Sequence, residues 1–478
     1  MLFPTFDFFA FFTIVLILNW LLKKNPLAWR LFLLAASYFF YSLWEVKFLF
    51  VLIFISIINF SAALIIQKSV FLKRKILFIL VLLLNVLALW YFKYYDFFRV
   101  STEMFLQKVG FFSPPLLEII LPIGLSFYIL RAVSYLVDIY IKKTKAEESW
   151  VDFFLYLAFF PHILAGPIAR AKDFLPQLKN GGAKYIDTPV KYFTLIFLGF
   201  FKKVVISSFL TIRLVDSVLA VPENYAAQLV ALAVFCYSLV IYCDFSGYSD
   251  MAIGFAGLLG FKPVPNFNFP YLASNLRDFW RRWHISLSFW IRDYIYIPLG
   301  GNRVGKIREH LNLLFSMIVA GLWHGAALNF IIWGGIHGLG ISLTHFLHKK
   351  KMTQEEQKVN NIKKYVFKFK LFVGWLVTFS FTTFAWIFFR SENLSDALDI
   401  IKTILAPSSK TESVPLYLLI IVGIFFLFVL LEKQIMRFLI LIQEKLPIFL
   451  WFIFVLVVFS ILFKLSPYDI PPFIYFSF

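Results

Sequence analysis

The chain has 478 residues, of which 61% are hydrophobic and 15% charged, and it carries a net charge of +19. Soluble domains run at roughly 45–50% apolar and about 25% charged, so no set of soluble cores could bury this excess. Nucleic acid is excluded as a partner too, because Lys and Arg fall in short gaps between apolar segments, the pattern of loops beside anionic lipid, and not on one soluble basic face.

Apolar runs of about 15–22 residues recur from end to end, and such a run matches ~30 Å of hydrocarbon as a helix. Spans are expected near 8–22, 31–44, 48–66, 76–92, 116–141, 151–169 and 190–215. Others follow near 226–243, 248–261, 311–323, 326–347, 371–390, 416–432 and 448–463. Some are short enough to be re-entrant. The expected fold is an all-α polytopic membrane protein with roughly 11–14 transmembrane or re-entrant helices. No gap leaves room for a soluble domain. Residues 1–478 therefore read as one membrane domain: N-terminal helices over 1–150, a polar core over 151–347 and C-terminal helices over 365–478.

No Lys or Arg precedes the first run, while Lys23, Lys24 and Arg30 follow it. This is not a cleavable signal peptide, and it puts the N-terminus outside. Counting onward, 68–75 and 142–145 fall inside, as do Lys349 to Lys370 and 433–445, while 45–47, the 391–415 loop and the C-terminus fall outside. Cys236 and Cys243 share one apolar run. On a helix they would sit about 10 Å apart, too far for a disulfide.

Polar residues at membrane depth must face protein or water, and four stretches break the apolar pattern. Phe160-Pro161-His162 through Gly166-Pro167 to Arg170 predicts bent backbone with freed carbonyls. His162 there is either an interfacial residue at a kinked helix end or a functional one. Tyr242-Cys243-Asp244-Phe245-Ser246-Gly247-Tyr248-Ser249-Asp250 reads equally as a wet hairpin between two spans or as a polar wall of an internal cavity. The stretch from Pro270 to Tyr294 reads as an amphipathic interfacial helix. At about 100° per residue, Arg277, Arg281, His284, Ser288 and Arg292 form one stripe, and Phe279, Trp283, Leu287, Trp290 and Tyr294 another. Finally, His324 lies between Gly321 and Gly325 in apolar surroundings, either packed and hydrogen-bonded or functional; His337 on the next span could line the same space, while His310, His345 and His348 sit near charged loops and look solvated. There is no Gly-x-Ser-x-Gly elbow, phosphate-binding Gly-rich loop or zinc-ligand spacing. What remains is histidine acid–base chemistry in a membrane cavity, with no metal and no covalent nucleophile.

Four stretches carry a resemblance. They are Ala165-Gly166-Pro167, Asp244 to Asp250, Phe279-Trp280-Arg281-Arg282-Trp283-His284-Ile285-Ser286-Leu287-Ser288 running on to Arg303, and Gly321-Leu322-Trp323-His324-Gly325-Ala326. The ending Pro472-Phe473-Ile474-Tyr475-Phe476 adds to it. The chain resembles the membrane-bound O-acyltransferases, and within them the alginate O-acetyltransferase (AlgI-like) branch. The resemblance implies helices around a central tunnel and acyl transfer to a hydroxyl. His324 falls at the position the family treats as catalytic, and His284 at the upstream polar position of the site. Arg281 or Arg282 would attract an anionic donor, with Asp244, Ser246, Tyr248, Asp250 and His162 as further substrate-contact candidates.

No tightly bound cofactor is implied. The donor substrate would be acetyl-CoA or another acyl thioester, and the acceptor an exported polysaccharide such as alginate, cellulose or peptidoglycan. An extracytoplasmic partner resembling SGNH hydrolases would complete the system at a bacterial inner membrane. The competing readings are D-alanyl transfer to teichoic acid, or a non-enzymatic transporter or flippase. Internal repeats would favour a transporter, and none is visible between the halves.

The charge alternation makes a direct prediction. Reporter fusions after Lys24, Lys75 and Lys351 should read cytoplasmic, and fusions after Lys47 or at the C-terminus extracytoplasmic. A cytoplasmic C-terminus would overturn this arrangement, because it requires an odd number of crossings.

Overall fold

A helix satisfies its own backbone hydrogen bonds, which hydrocarbon cannot do for it, and the described residues are helices and their connections, with no strand among them. The computed structural model describes residues 3–95, 99, 103, 108, 119–164, 166–179, 181–347, 361–406, 414–465 and 471–474. Ala165, His348, the start of the basic run after it, and Tyr475 and Phe476 lie outside the described residues. Among the described residues, six helices are long and apolar enough to cross a membrane. The chain forms two compact units: Met1–Ile196 with Ser249–Val264, and Phe197–Tyr248 with Pro265–Phe478.

The first unit begins with α1 (Phe6–Leu22), α2 (Pro26–Ser42), α3 (Val46–Lys68) and α4 (Phe71–Leu89). Then come α5 (Leu125–Tyr140), α6 (Trp150–Ala158), α7 (Ala171–Lys179) and the start of α8 (Pro189–Phe200). Their ends follow local chemistry: the Thr5 hydroxyl accepts from the Phe8 amide, and Asn25 caps α2 with Pro26 in its first turn. The expected span over 151–169 does not form as one helix. α6 stops at Ala158, where Phe159 leaves helical geometry (ψ 107°), and Pro161 lies in a separate turn, Phe160–Ile163. The carbonyls freed by this break are met by a buried guanidinium: Arg131 donates to the oxygens of His162 at 2.8 Å and Pro167 at 3.3 Å.

The second unit contains most of α9 (Ala227–Leu258), then α10 (Leu276–Arg282), α11 (Ile285–Ile291), α12 (Lys306–His324) and α13 (Leu328–Leu347). It closes with α14 (Asn361–Arg390), α15 (Leu394–Leu405), α16 (Leu416–Lys445) and α17 (Ile448–Leu465). Three expectations are corrected here. Residues 226–261 are not two spans around a hairpin, since α9 runs unbroken for 32 residues. Nothing in 242–250 forces a turn, and Gly247 serves close approach: a Cβ there would lie 2.7 Å from the Gly199 carbonyl oxygen. The 433–445 segment is the continuation of α16, not a loop. The 391–415 segment contains α15, a strongly amphipathic helix capped by Asn393.

The carboxylate of Asp244 projects from within α9. It pairs with Lys203, both side chains being almost fully buried, and its other oxygen accepts from the Ile474 amide at 2.8 Å. The neighbouring Lys202 pairs with Glu432 of α16 at 2.7 Å, and the Tyr242 hydroxyl donates to the same carboxylate. Each lysine thus enters the interior with a counter-charge, which is the condition for burying it at all. Lys203→Met should cost about 3–5 kcal/mol by stranding Asp244, and adding Asp244→Leu should recover part of that loss. Thermal unfolding of the purified protein checks this; a single variant as stable as the wild type would contradict it.

Candidate active site

The site is built in the second unit, and its first determinant is a break in the helix expected over 277–294. α10 ends at Arg282, and His284 takes a left-handed conformation (φ 41°) before α11 begins at Ile285. A residue with a Cβ pays for that conformation unless its surroundings fix it, and here Asn266 does so. Its carbonyl accepts from the Ile285 amide at 2.8 Å, and its side-chain oxygen meets the Ser286 hydroxyl at 2.8 Å and His284 Nδ1 at 3.1 Å. Sequence periodicity missed the break because the anchor lies 18 residues upstream.

The break separates His284 from its expected stripe. Arg277, Arg281, Ser288 and Arg292 stay together and line a cavity of about 490 Å³, while the imidazole of His284 is fully buried. Burial pushes its pKa down to about 3, so this ring is neutral at physiological pH. It packs edge-on against Phe245 at 4.6 Å and Trp323 at 5.8 Å.

His324 ends α12, and its ring is also buried. Trp323 lies 4.9 Å from it and Trp333 of α13 lies 5.1 Å away, with Phe389 at 5.0 Å. Trp323 therefore touches both histidines, and the two catalytic candidates share one aromatic enclosure. α12 and α13 reach this proximity through glycine: a Cβ on Gly321 or Gly334 would collide with the backbone carbonyls of Phe330 and Met317 respectively. His337 belongs to the same enclosure, 4.8 Å from Trp333.

The cavity is strongly basic. Arg277, Arg281 and Arg292 face it together with Glu309, His310 and His345. The two histidine rings are 6.0 Å apart, and His345 Nε2 lies 3.6 Å from Glu309. Both histidines were expected among solvated loops, but the antiparallel packing of α12 and α13 brings them into this wall. Trp280 and Met317 also line it, and Met317 stands two turns before His324 on α12. Arg292 is paired with Asp293 at 2.7 Å, so the guanidiniums of Arg277 and Arg281 are the ones that suit an anionic ligand, particularly phosphate, which arginine can bind in a bidentate way.

The remaining candidates are dispersed. Arg282 does not line the cavity; it pairs with Asp278 at 2.9 Å. Asp244 has its oxygens engaged by Lys203, Ser207 and the Ile474 amide. Ser246 and Tyr248 are buried on α9, and Tyr248 packs on Phe473 at 4.7 Å. Asp250 is half-buried and falls in the first unit, as does His162. The His162 ring is buried against Phe159, and neither nitrogen has a hydrogen-bond partner among the described residues.

Comparisons with known proteins bear on this geometry. The profile of the membrane-bound O-acyltransferase family, MBOAT, matches residues 142–390. The chain is 39% identical to the "Probable alginate O-acetylase AlgI" of Pseudomonas syringae pv. tomato over 76% of its own length and 68% of the relative. It is 36% identical to the "Peptidoglycan O-acetyltransferase" of Helicobacter pylori over 79% and 74% of the two chains. A weaker match, 29% identity over 48% of this chain and 60% of the relative, is to the "Teichoic acid D-alanyltransferase" of Bacillus subtilis. With half the chain matched by the profile and the two buried histidines enclosed together inside that match, the protein belongs to the membrane-bound O-acyltransferase family.

Proposed function

We propose that this protein transfers an acetyl group from a cytoplasmic acyl thioester, acetyl-CoA, to hydroxyls of an exported cell-envelope polysaccharide. The observation that carries this reading is the shared enclosure of His284 and His324 about Trp323, with the arginine-lined cavity sharing α12 with His324. A neutral imidazole at His324 takes the proton from the attacking hydroxyl, an effect worth roughly 10²–10⁴-fold in rate. His284, pinned by Asn266, polarises or positions the acyl group. The arginines hold the donor's phosphates. Aromatic walls exclude water, which protects the thioester from hydrolysis.

Acetyl transfer is favoured over D-alanyl transfer because the acetylase relatives match more of the chain at higher identity. The polymer class is supported by the same relatives, whose names specify alginate and peptidoglycan. In this reading the protein sits in a bacterial inner membrane with both termini extracytoplasmic, and an SGNH-hydrolase-like partner completes delivery outside.

Two measurements test the proposal. Ester-linked acetate on the envelope polymers should vanish in His324→Ala cells and persist at a reduced level with His284→Ala, at equal protein abundance. Full acetylation by His324→Ala would remove the enzyme reading. For the purified protein in lipid, Arg281→Lys should raise the donor concentration needed for half-maximal transfer about tenfold or more, since charge remains but the planar fork is lost. An unchanged donor dependence would return Arg281 to a lipid-facing role.

A further inference from the structure

Trp280 lines the basic cavity, and its indole Nε1–H lies 3.3 Å from His337 Nδ1. An indole nitrogen can only donate, so His337 Nδ1 is the acceptor and the neutral ring carries its proton on Nε2. That Nε2–H is fully buried and has no acceptor among the described residues. One turn earlier on the same face of α13, the Nε1–H of Trp333 is also fully buried with no acceptor among the described residues. Aromatic rings surround both, and an N–H over a ring is a second-order contact. Two adjacent buried donors with nothing to donate to are uncommon, because each forfeits a hydrogen bond that water supplied in the unfolded chain. Trp333 lies beside His324, their rings 5.1 Å apart, and the His337 ring lies 4.8 Å from that of Trp333.

We infer that Trp333 Nε1–H and His337 Nε2–H bind the carbonyl oxygen of the acyl group and stabilise the oxyanion it becomes. This inference rests on the acyl-transfer reading and adds two catalytic residues to it. The acceptor hydroxyl oxygen bonds to the thioester carbonyl carbon while its proton passes to His324. The carbonyl π pair moves onto oxygen, which accepts from the two N–H groups. On collapse the C=O bond re-forms, the C–S bond breaks, and the sulfur takes the proton from the His324 imidazolium, leaving an ester and a free thiol. Trp280 is a positioning residue that fixes the His337 tautomer, linking the donor cavity to the orientation of the reacting group.

The test uses the amide side chains that mimic each imidazole nitrogen. Gln places an N–H near the position of Nε2, whereas the shorter Asn reaches only that of Nδ1. Full-length variants are assayed in membrane vesicles of the native host, which carry the acceptor and any partner, with radiolabelled acetyl-CoA as donor. His337→Gln should stay within about tenfold of the wild-type maximal rate, while His337→Asn and Trp333→Phe should fall by about 10²–10³-fold at little-changed donor KM. Equal rates for the Gln and Asn variants, or a Trp333→Phe enzyme of wild-type rate, would overturn the inference. So would losses appearing mainly in donor KM. If wild type is active and His324→Ala is silent, such results remove the oxyanion role alone. If His324→Ala transfers as fast as wild type, the acyl-transfer reading fails with it.

Discussion

Hydrocarbon offers no partner for a hydrogen bond, and much of this structure follows from that constraint. Several of the most polar side chains drawn inside meet a complement from another part of the chain. In the first unit Arg131 serves the carbonyls of a broken helix, and Asn59 and Asn85 exchange reciprocal amide hydrogen bonds between α3 and α4 at 3.1 and 3.0 Å. In the second unit Lys202 and Lys203 enter the interior with Glu432 and Asp244. Such pairs are poor sources of net stability but strict sources of register, because a slipped helix strands a charge.

Among the described residues, Trp333 and His337 hold buried N–H donors without acceptors. The enclosure about His324 is walled by Trp323, Trp333 and Phe389, which contribute area and exclusion of water but few hydrogen-bond acceptors. A dry cavity strengthens any electrostatic interaction made inside it. In the proposed reaction, the thioester carbonyl is the acceptor for these donors. The glycine contacts between α12 and α13 make the enclosure small, since bulkier residues at Gly321 or Gly334 would hold the backbones apart.

In the proposed reaction, the grip on an anionic donor falls to different atoms on shared elements. α12 contributes His324 at its end and Glu309, His310, Ser316 and Met317 to the cavity wall. α10 contributes Arg277 and Arg281 to the wall, and the turn after it contributes His284 to the enclosure. The proposed binding and the proposed chemistry thereby share the same helix ends. Displacing one displaces the other.

The sequence by itself determined the membrane class, the approximate extents of the apolar helices outside 151–169 and 226–261, the bent segment at Pro161, and the two candidate histidines His284 and His324. These are local or compositional signals: hydrophobic run length, proline geometry, and the rarity of a histidine among apolar residues. The sequence also placed Arg277, Arg281, Ser288 and Arg292 on one face, because helical periodicity survives a short interruption. Only the tertiary structure decided that His284 leaves that face, since the cause is Asn266, remote in sequence and silent in periodicity. It alone decided that Asp244 lies mid-helix against Lys203, a pairing across 41 residues. It brought His310 and His345 into one wall through antiparallel helices. The tautomer of His337 likewise depends on Trp280, 57 residues away. Composition and periodicity carry the energy of transfer into lipid, which is additive along the chain, whereas the direction a side chain faces depends on which partners the fold brings within hydrogen-bond reach.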